Sequence, residues 1–121
     1  MTLMEKLEKL QKDLPYITVL DNIDTGILIY NRSGDCVFSN KTMIKWRNIS
    51  RWEYMNLNVH GFLNKISICV FDLVLESKQK ASRLQYYTYP HNSSGKHKIR
   101  IVTGFPIFDN CGAIKYVICQ F

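Results

Sequence analysis

The final third of the chain decides the class of fold. "RLQYYTYP", "HKIRIVTGFPIFD" and "AIKYVICQF" are rich in β-branched and aromatic residues, with the polar "HNSSGK" and the turn residues Asp109–Gly112 between them. Runs of this kind bounded by turn chemistry are predicted to be strands, and the last two to form a hairpin. Lys98 and Arg100 alternate with Ile99 and Ile101, the pattern of an antiparallel sheet with one wet face. Pro106 lacks a ladder donor, so its strand must bend, bulge or have an unpaired side at that point.

The first third combines helix and hairpin. Thr2 and Glu5 have the spacing of a capping box, and Leu3, Leu7, Leu10 and Leu14 recur at steps of four, three and four. Glu5–Lys9 and Glu8–Lys12 place favourable pairs on the outer side. Residues 1–14 therefore form an amphipathic helix. Its leucine stripe fits either its own domain or a second copy of the chain, and self-association through the four leucines is the expectation. Two heptads are too short to pair alone, so the rest of the domain must contribute. Pro15 ends this helix and opens a short second one, "PYITVLDNI". "TGILIYNRSGDCVFSN" then reads as a hairpin: Ile27–Tyr30, a turn over Asn31–Asp35, and Cys36–Phe38. In the middle, "NKTMIKWRNIS" and "SRWEYMNLNV" read as short helices, and "ISICVFDLVLESKQKAS" as a longer one.

A chain of 121 residues is one domain with a modest core. It has no apolar run near the ~18 residues of a membrane span and no apolar signal-peptide core at its start, so a cytoplasmic location is expected. Without an export signal or a CxxC pair, Cys36, Cys69, Cys111 and Cys119 are expected to be free and mostly buried. His60, His91 and His97 show no ligand spacing with them, so no metal site is expected. The net charge of +6 has its excess in Lys41–Arg51 and in Lys78–Arg100, and no acidic residue lies between Ser77 and Ile99. A basic nucleic-acid-binding module using Lys78–Arg100 is the alternative this raises. No helix-turn-helix pattern, zinc-finger spacing or ribonucleoprotein motif accompanies the charge, and direct nucleic-acid binding is not expected. Nor is catalysis: no nucleophile elbow, triad spacing or phosphate loop is present.

Two stretches carry a resemblance. "LDNIDTGILIYNRSGDCVFSN", with Gly26 and Asn40, is similar to the opening of PAS domains. "VTGFPIFDNCGAIKYVI", with Pro106, Asp109 and Gly112, is similar to their closing hairpin. The closing words resemble those of sensory PAS domains at the front of sigma-54-dependent transcriptional activators, and those of sensor histidine kinases. The resemblance implies an α+β fold over residues 15–121: a five-stranded antiparallel sheet with short helices on one face, preceded by the N-terminal helix. It also implies a non-catalytic sensor, a homodimer, that reads a small ligand or partner and signals by dimer rearrangement to an output domain. The apolar end at Phe121, without a tail, leads to the expectation that the bacterial regulator continues beyond it.

Aromatic residues with a few polar atoms suit a ligand cleft, and Trp46, Phe62, Cys69, Phe71, Phe105 and Tyr116 are the candidate lining. The alternative is that they simply fill the core. Cofactor-bearing relatives imply signatures that this chain lacks. Cys69 stands in "SICVF", not in a flavin-photosensor word, and Ile68–Ala81 has no histidine to bind haem iron. No flavin or haem is expected, while an unidentified small ligand is allowed.

Overall fold

The computed structural model describes residues 2–62, 69–87 and 98–121. Asn40 organises the first half. Its Oδ1 accepts from the amides of Ile27 and Met43 at 3.0 and 2.9 Å, and its Nδ2 donates to the carbonyls of Leu20 and Thr25 at 2.9 and 2.7 Å. One fully buried amide thereby uses its whole hydrogen-bonding capacity. It caps α3 (Lys41–Arg47), starts β1 (Ile27–Asn31) and anchors the end of α2 (Ile17–Asp21), which follows α1 (Leu3–Asp13). β1 turns into β2 (Cys36–Ser39) over Asn31, whose side chain accepts the amides of Ser33 and Asp35. Then come α4 (Arg51–Tyr54), α5 (Val59–Phe62), α6 (Val70–Ser77), β3 (Ala81–Tyr87), β4 (Lys98–Phe108) and β5 (Ile114–Gln120).

The strands form one antiparallel sheet in the order β2-β1-β5-β4-β3. The last strand is thus central, as its apolar run suggests. The expected α+β architecture of five antiparallel strands and short helices is the one observed. Pro106 is accommodated by position: β3 begins at Ala81 opposite Gly104, so Pro106 lies past the last β3 pair and has only Val117 of β5 beside it. The ladder loses no partner there. Asp109 closes the β4–β5 hairpin, its Oδ1 accepting from Cys111 and Ala113 at 2.8 and 3.0 Å. Gly112 supplies the left-handed backbone at φ +82°.

α6 is shorter than the sequence suggests. Lys78 adopts φ 57°, the Ser77 hydroxyl takes the amide of Gln79, and Ala81 and Ser82 already belong to β3. After Leu75 no further apolar residue falls on the buried side, so nothing holds another turn against the sheet.

Helices pack on both faces of the sheet, different ones on each. On one, Leu28, Tyr30, Val102, Val117 and Cys119 meet Met43, Ile49, Tyr54, Val59, Val70, Phe71 and Val74 of the central helical segment. On the other, Ile27, Ile29, Phe38, Tyr116 and Ile118 meet Leu10, Leu14 and Ile17 of the N-terminal helices. Gly104 lets α6 approach β4: a Cβ there would stand 2.7 Å from Cγ1 of Val70 and 3.2 Å from Val74.

Candidate functional site

The six candidate lining residues do not meet in one cleft. Phe71 is buried in the inner core, edge-on to Tyr30 with centroids 5.7 Å apart, and Cys69 packs partly against the same cluster. Phe105 and Tyr116 lie on the opposite face of the sheet, under the N-terminal helices. Trp46 is 42% exposed at the end of α3, its ring against Gly26 and under the Arg100 guanidinium at 5.3 Å. The Phe62 side chain lies outside the described residues. Aromatic character marked these residues as large and apolar but could not assign them to a face. Among the described residues, Tyr30, Tyr54, Met43 and Phe71 pack together in the inner core.

The leucine stripe is also placed differently from expectation. Leu10 and Leu14 are buried against their own sheet, Leu7 packs beside them, and Leu3 is half-buried. The seam expected to meet a second copy is thus largely used within the chain. A polar clasp fixes the end of α1: the Tyr116 hydroxyl donates to Asp13 at 2.6 Å, and Lys115 stands 3.1 Å from the same oxygen. The Tyr116 hydrogen bond holds the Asp13 carboxyl below its ordinary pKa, helped by Lys115 and opposed by burial. Beside α1 a cleft of about 300 Å³ opens, lined by Lys6, Lys9, Leu10, Asn31, Asp35 and Tyr116 among others.

The clearest departure is in β3 and β4. Ile99 and Ile101 do not point into the core: they are 57% and 66% exposed, and Leu84, paired with Ile101, is 57% exposed. Val102 and Gly104, one residue out of phase, face the helices instead. Arg100, expected on the wet face, is half-buried against Trp46. The N-terminal helices cover Phe105 and Ile107 but leave the Leu84–Ile101 end of the same face bare. At its margin the Ser82 and Thr103 hydroxyls bond each other at 2.6 Å.

Other solved structures have this arrangement of sheet and helices. A PAS domain of a two-component sensor histidine kinase superposes with a TM-score of 0.68 at 10% identity, over 93% of this chain and 96% of that one. The chain has the PAS fold. The PAS domain of nitrogen regulation protein NR(II) from Vibrio parahaemolyticus gives 0.65 at 16% identity, over 88% and 94%. That of the fruit-fly ELK potassium channel gives 0.68 at 11%, over 88% and 91%. No protein-family model and no curated sequence matches the chain.

Within this PAS fold the motif residues Gly26, Asn40, Pro106, Asp109 and Gly112 are turn, cap and close-packing positions. A Cβ on Gly26 would stand 2.8 Å from Met43 and from Trp46. Of the four thiols, all free, Cys36 and Cys119 are buried, Cys69 is half-buried and Cys111 is exposed. Burial pushes the Cys36 thiol up to about 12 and the Cys69 thiol up to about 11. The basic stretch Lys78–Arg100 does not form one described patch: Lys78 and Lys80 flank the α6–β3 turn, Arg100 stacks on Trp46, and residues 88–97 lie outside the described residues. No helix among the described residues is long and apolar enough to cross a membrane.

Sequence reasoning missed two features here. His60 of α5 meets Asp72 of α6, Nε2 to Oδ1 at 2.9 Å, beside Cys69. Only the Cys69-x-x-Asp72 spacing was visible beforehand, because His60 arrives from a separate helix. Buried Gln85 accepts the amide of Val70 at 3.2 Å, tying β3 to the start of α6. Its place in a strand-like run gave no sign of that.

Proposed function

We propose that the chain is a non-catalytic, cytoplasmic sensory PAS module of a bacterial regulator, of the sigma-54-dependent activator or sensor-kinase kind. It works as a homodimer whose rearrangement passes a signal to an output domain. The observation that carries this reading is the bare outer face of β3 and β4. Its described side chains, Ser82, Leu84, Ile99, Ile101 and Thr103, include no charge although the chain as a whole is +6. Two copies can meet there without like-charge repulsion, and each buries isoleucine and leucine that water otherwise surrounds. Among the described residues of that face there is no cation for an acidic or polyanionic partner to pair with. Among the described residues the inner core is occupied by Tyr30, Tyr54, Met43 and Phe71, which favours a partner-driven signal over a ligand seated among them. Solved domains of the same fold belong to a sensor kinase and a nitrogen regulation protein, which supports the regulatory setting.

Sedimentation velocity tests the reading. Wild type is expected to be a dimer at tens of micromolar, and the Ile99→Lys/Ile101→Lys variant a monomer whose circular dichroism spectrum matches that of wild type. A wild-type monomer at that concentration, or a dimer insensitive to both lysines, removes the proposal. A titration with duplex DNA at low salt separates the nucleic-acid alternative, which requires binding that weakens steeply as salt is added.

A further inference from the structure

The His60–Cys69–Asp72 cluster lies away from the bare sheet face and is independent of the dimer reading. One imidazole nitrogen, one thiol sulfur and one carboxylate oxygen all fall within 4.8 Å of one another. His60 Nε2 stands 2.9 Å from Oδ1 of Asp72 and 3.2 Å from Oδ2, so the carboxylate faces the ring nitrogen with both oxygens. Cys69 is the N-cap of α6 and Asp72 lies in its first turn, a spacing of three that brings both side chains to the same end of the helix. The cluster is open to solvent on one side, with His60 and Asp72 both exposed and Cys69 half-buried.

We propose that His60, Cys69 and Asp72 bind a divalent transition-metal ion of the zinc class. The donor set selects the ion. Mixed nitrogen, sulfur and oxygen ligands suit a borderline-soft cation, whereas magnesium and calcium take oxygens. Tetrahedral bonds of about 2.0 Å to nitrogen and oxygen put those ligands about 3.3 Å apart. The ion therefore takes the place of the His60–Asp72 hydrogen bond: the imidazole keeps its proton on Nδ1, so that Nε2 is free to ligate, the pair spreads slightly and the sulfur is drawn inward. On binding, the Cys69 thiol gives its proton to solvent and a sulfur–metal bond forms; no redox change is involved. Three protein ligands leave a fourth position for water or an exchangeable ligand.

The site is wired into the fold. The His60 ring packs edge-on against Phe71 at 6.1 Å, and Phe71 packs against Tyr30 of β1 at 5.7 Å. α6 itself presses on Gly104 of β4 through Val70. An ion joining α5 to the start of α6 would fix both helices on the inner face.

Titration of the intact chain with cobalt(II), under reducing conditions, tests the site by the near-ultraviolet thiolate-to-cobalt charge-transfer band. One equivalent is expected to saturate the band, and zinc to abolish it. Cys69→Ser should lose it, while Cys111→Ser and the His91→Ala/His97→Ala double variant should keep it. His60→Ala and Asp72→Asn should each weaken cobalt binding about tenfold or more. Circular dichroism of each variant confirms folding, and the wild-type titration decides the matter even if one variant fails to fold. Absence of the band at millimolar cobalt overturns the proposal. So does a band that survives Cys69→Ser, or one that Cys111→Ser or the histidine pair removes.

Discussion

The two ends of the outer sheet face differ in what lies above them. Over β1, β2 and β5, the N-terminal helices bury Ile27, Ile29, Phe38 and Ile118 beneath Leu10, Leu14 and Ile17. Over β3 and β4 nothing among the described residues covers Leu84, Ile99 and Ile101. The side chains are chemically alike, yet one group stabilises the monomer and the other does not. Apolar content thus tells less about role than the presence of a covering element. The covered end belongs to the fold, and the bare end is the face through which the proposed dimer would form.

Breaking the covered architecture should have the largest effect. Asn40→Ala removes four hydrogen bonds at the junction of α2, β1 and α3 and leaves the Ile27 amide buried without its side-chain partner, for an expected loss of about 3 kcal/mol or more. Denaturant unfolding measures it. A loss below about 1 kcal/mol would show that the junction holds without the amide.

Next comes Gly104→Ala, which forces a methyl into Val70 and should cost about 1–3 kcal/mol. Adding Val70→Ala should return part of that, a coupling a double-mutant cycle detects. Gly112→Ala meets no neighbour and carries only the strain of φ +82°, about 1 kcal/mol.

The clasp on α1 is smaller and depends on pH. Tyr116→Phe removes the hydrogen bond to Asp13, for about 1 kcal/mol at neutral pH. Because Asp13 has a lowered pKa in the folded chain, its contribution is full above the unfolded carboxylate value. It fades as pH falls through the lowered folded value. Wild type and Tyr116→Phe should therefore converge in stability under acid, as melting curves across pH would record.

The smallest effect belongs to the bare end. Ile101→Ser in a dilute, monomeric sample should shift stability by no more than about 0.5 kcal/mol, since the side chain has little to lose. A core-sized loss would mean that Ile101 is covered after all.

Much of the covered architecture was legible in the sequence because it rests on local chemistry. Asn40 before a helix, the Asn31–Asp35 turn, Asp109 with Gly112 and the alternating runs each specify a conformation within a few residues. What escaped was the direction in which side chains point. Alternation in β4 identified two sets of residues but not which set faced the helices, and Ile99 and Ile101 turned out on the open side. The leucine stripe of α1 had the same ambiguity, since a helix shows the same periodicity whether it lies on its own sheet or on a partner. The aromatic candidates divided between the two faces for the same reason. His60, Cys69 and Asp72 depend on the packing of two helices, which spacing along the chain cannot express.

Amide chemical-shift mapping on dilution, from dimer to monomer concentrations, addresses the bare face most directly. The expected changes fall on Ser82–Gln85 and Ile99–Thr103, with Leu10, Leu14 and α6 unmoved. Shifts centred on the outer residues of α1, or none across the dilution, would contradict association through β3 and β4.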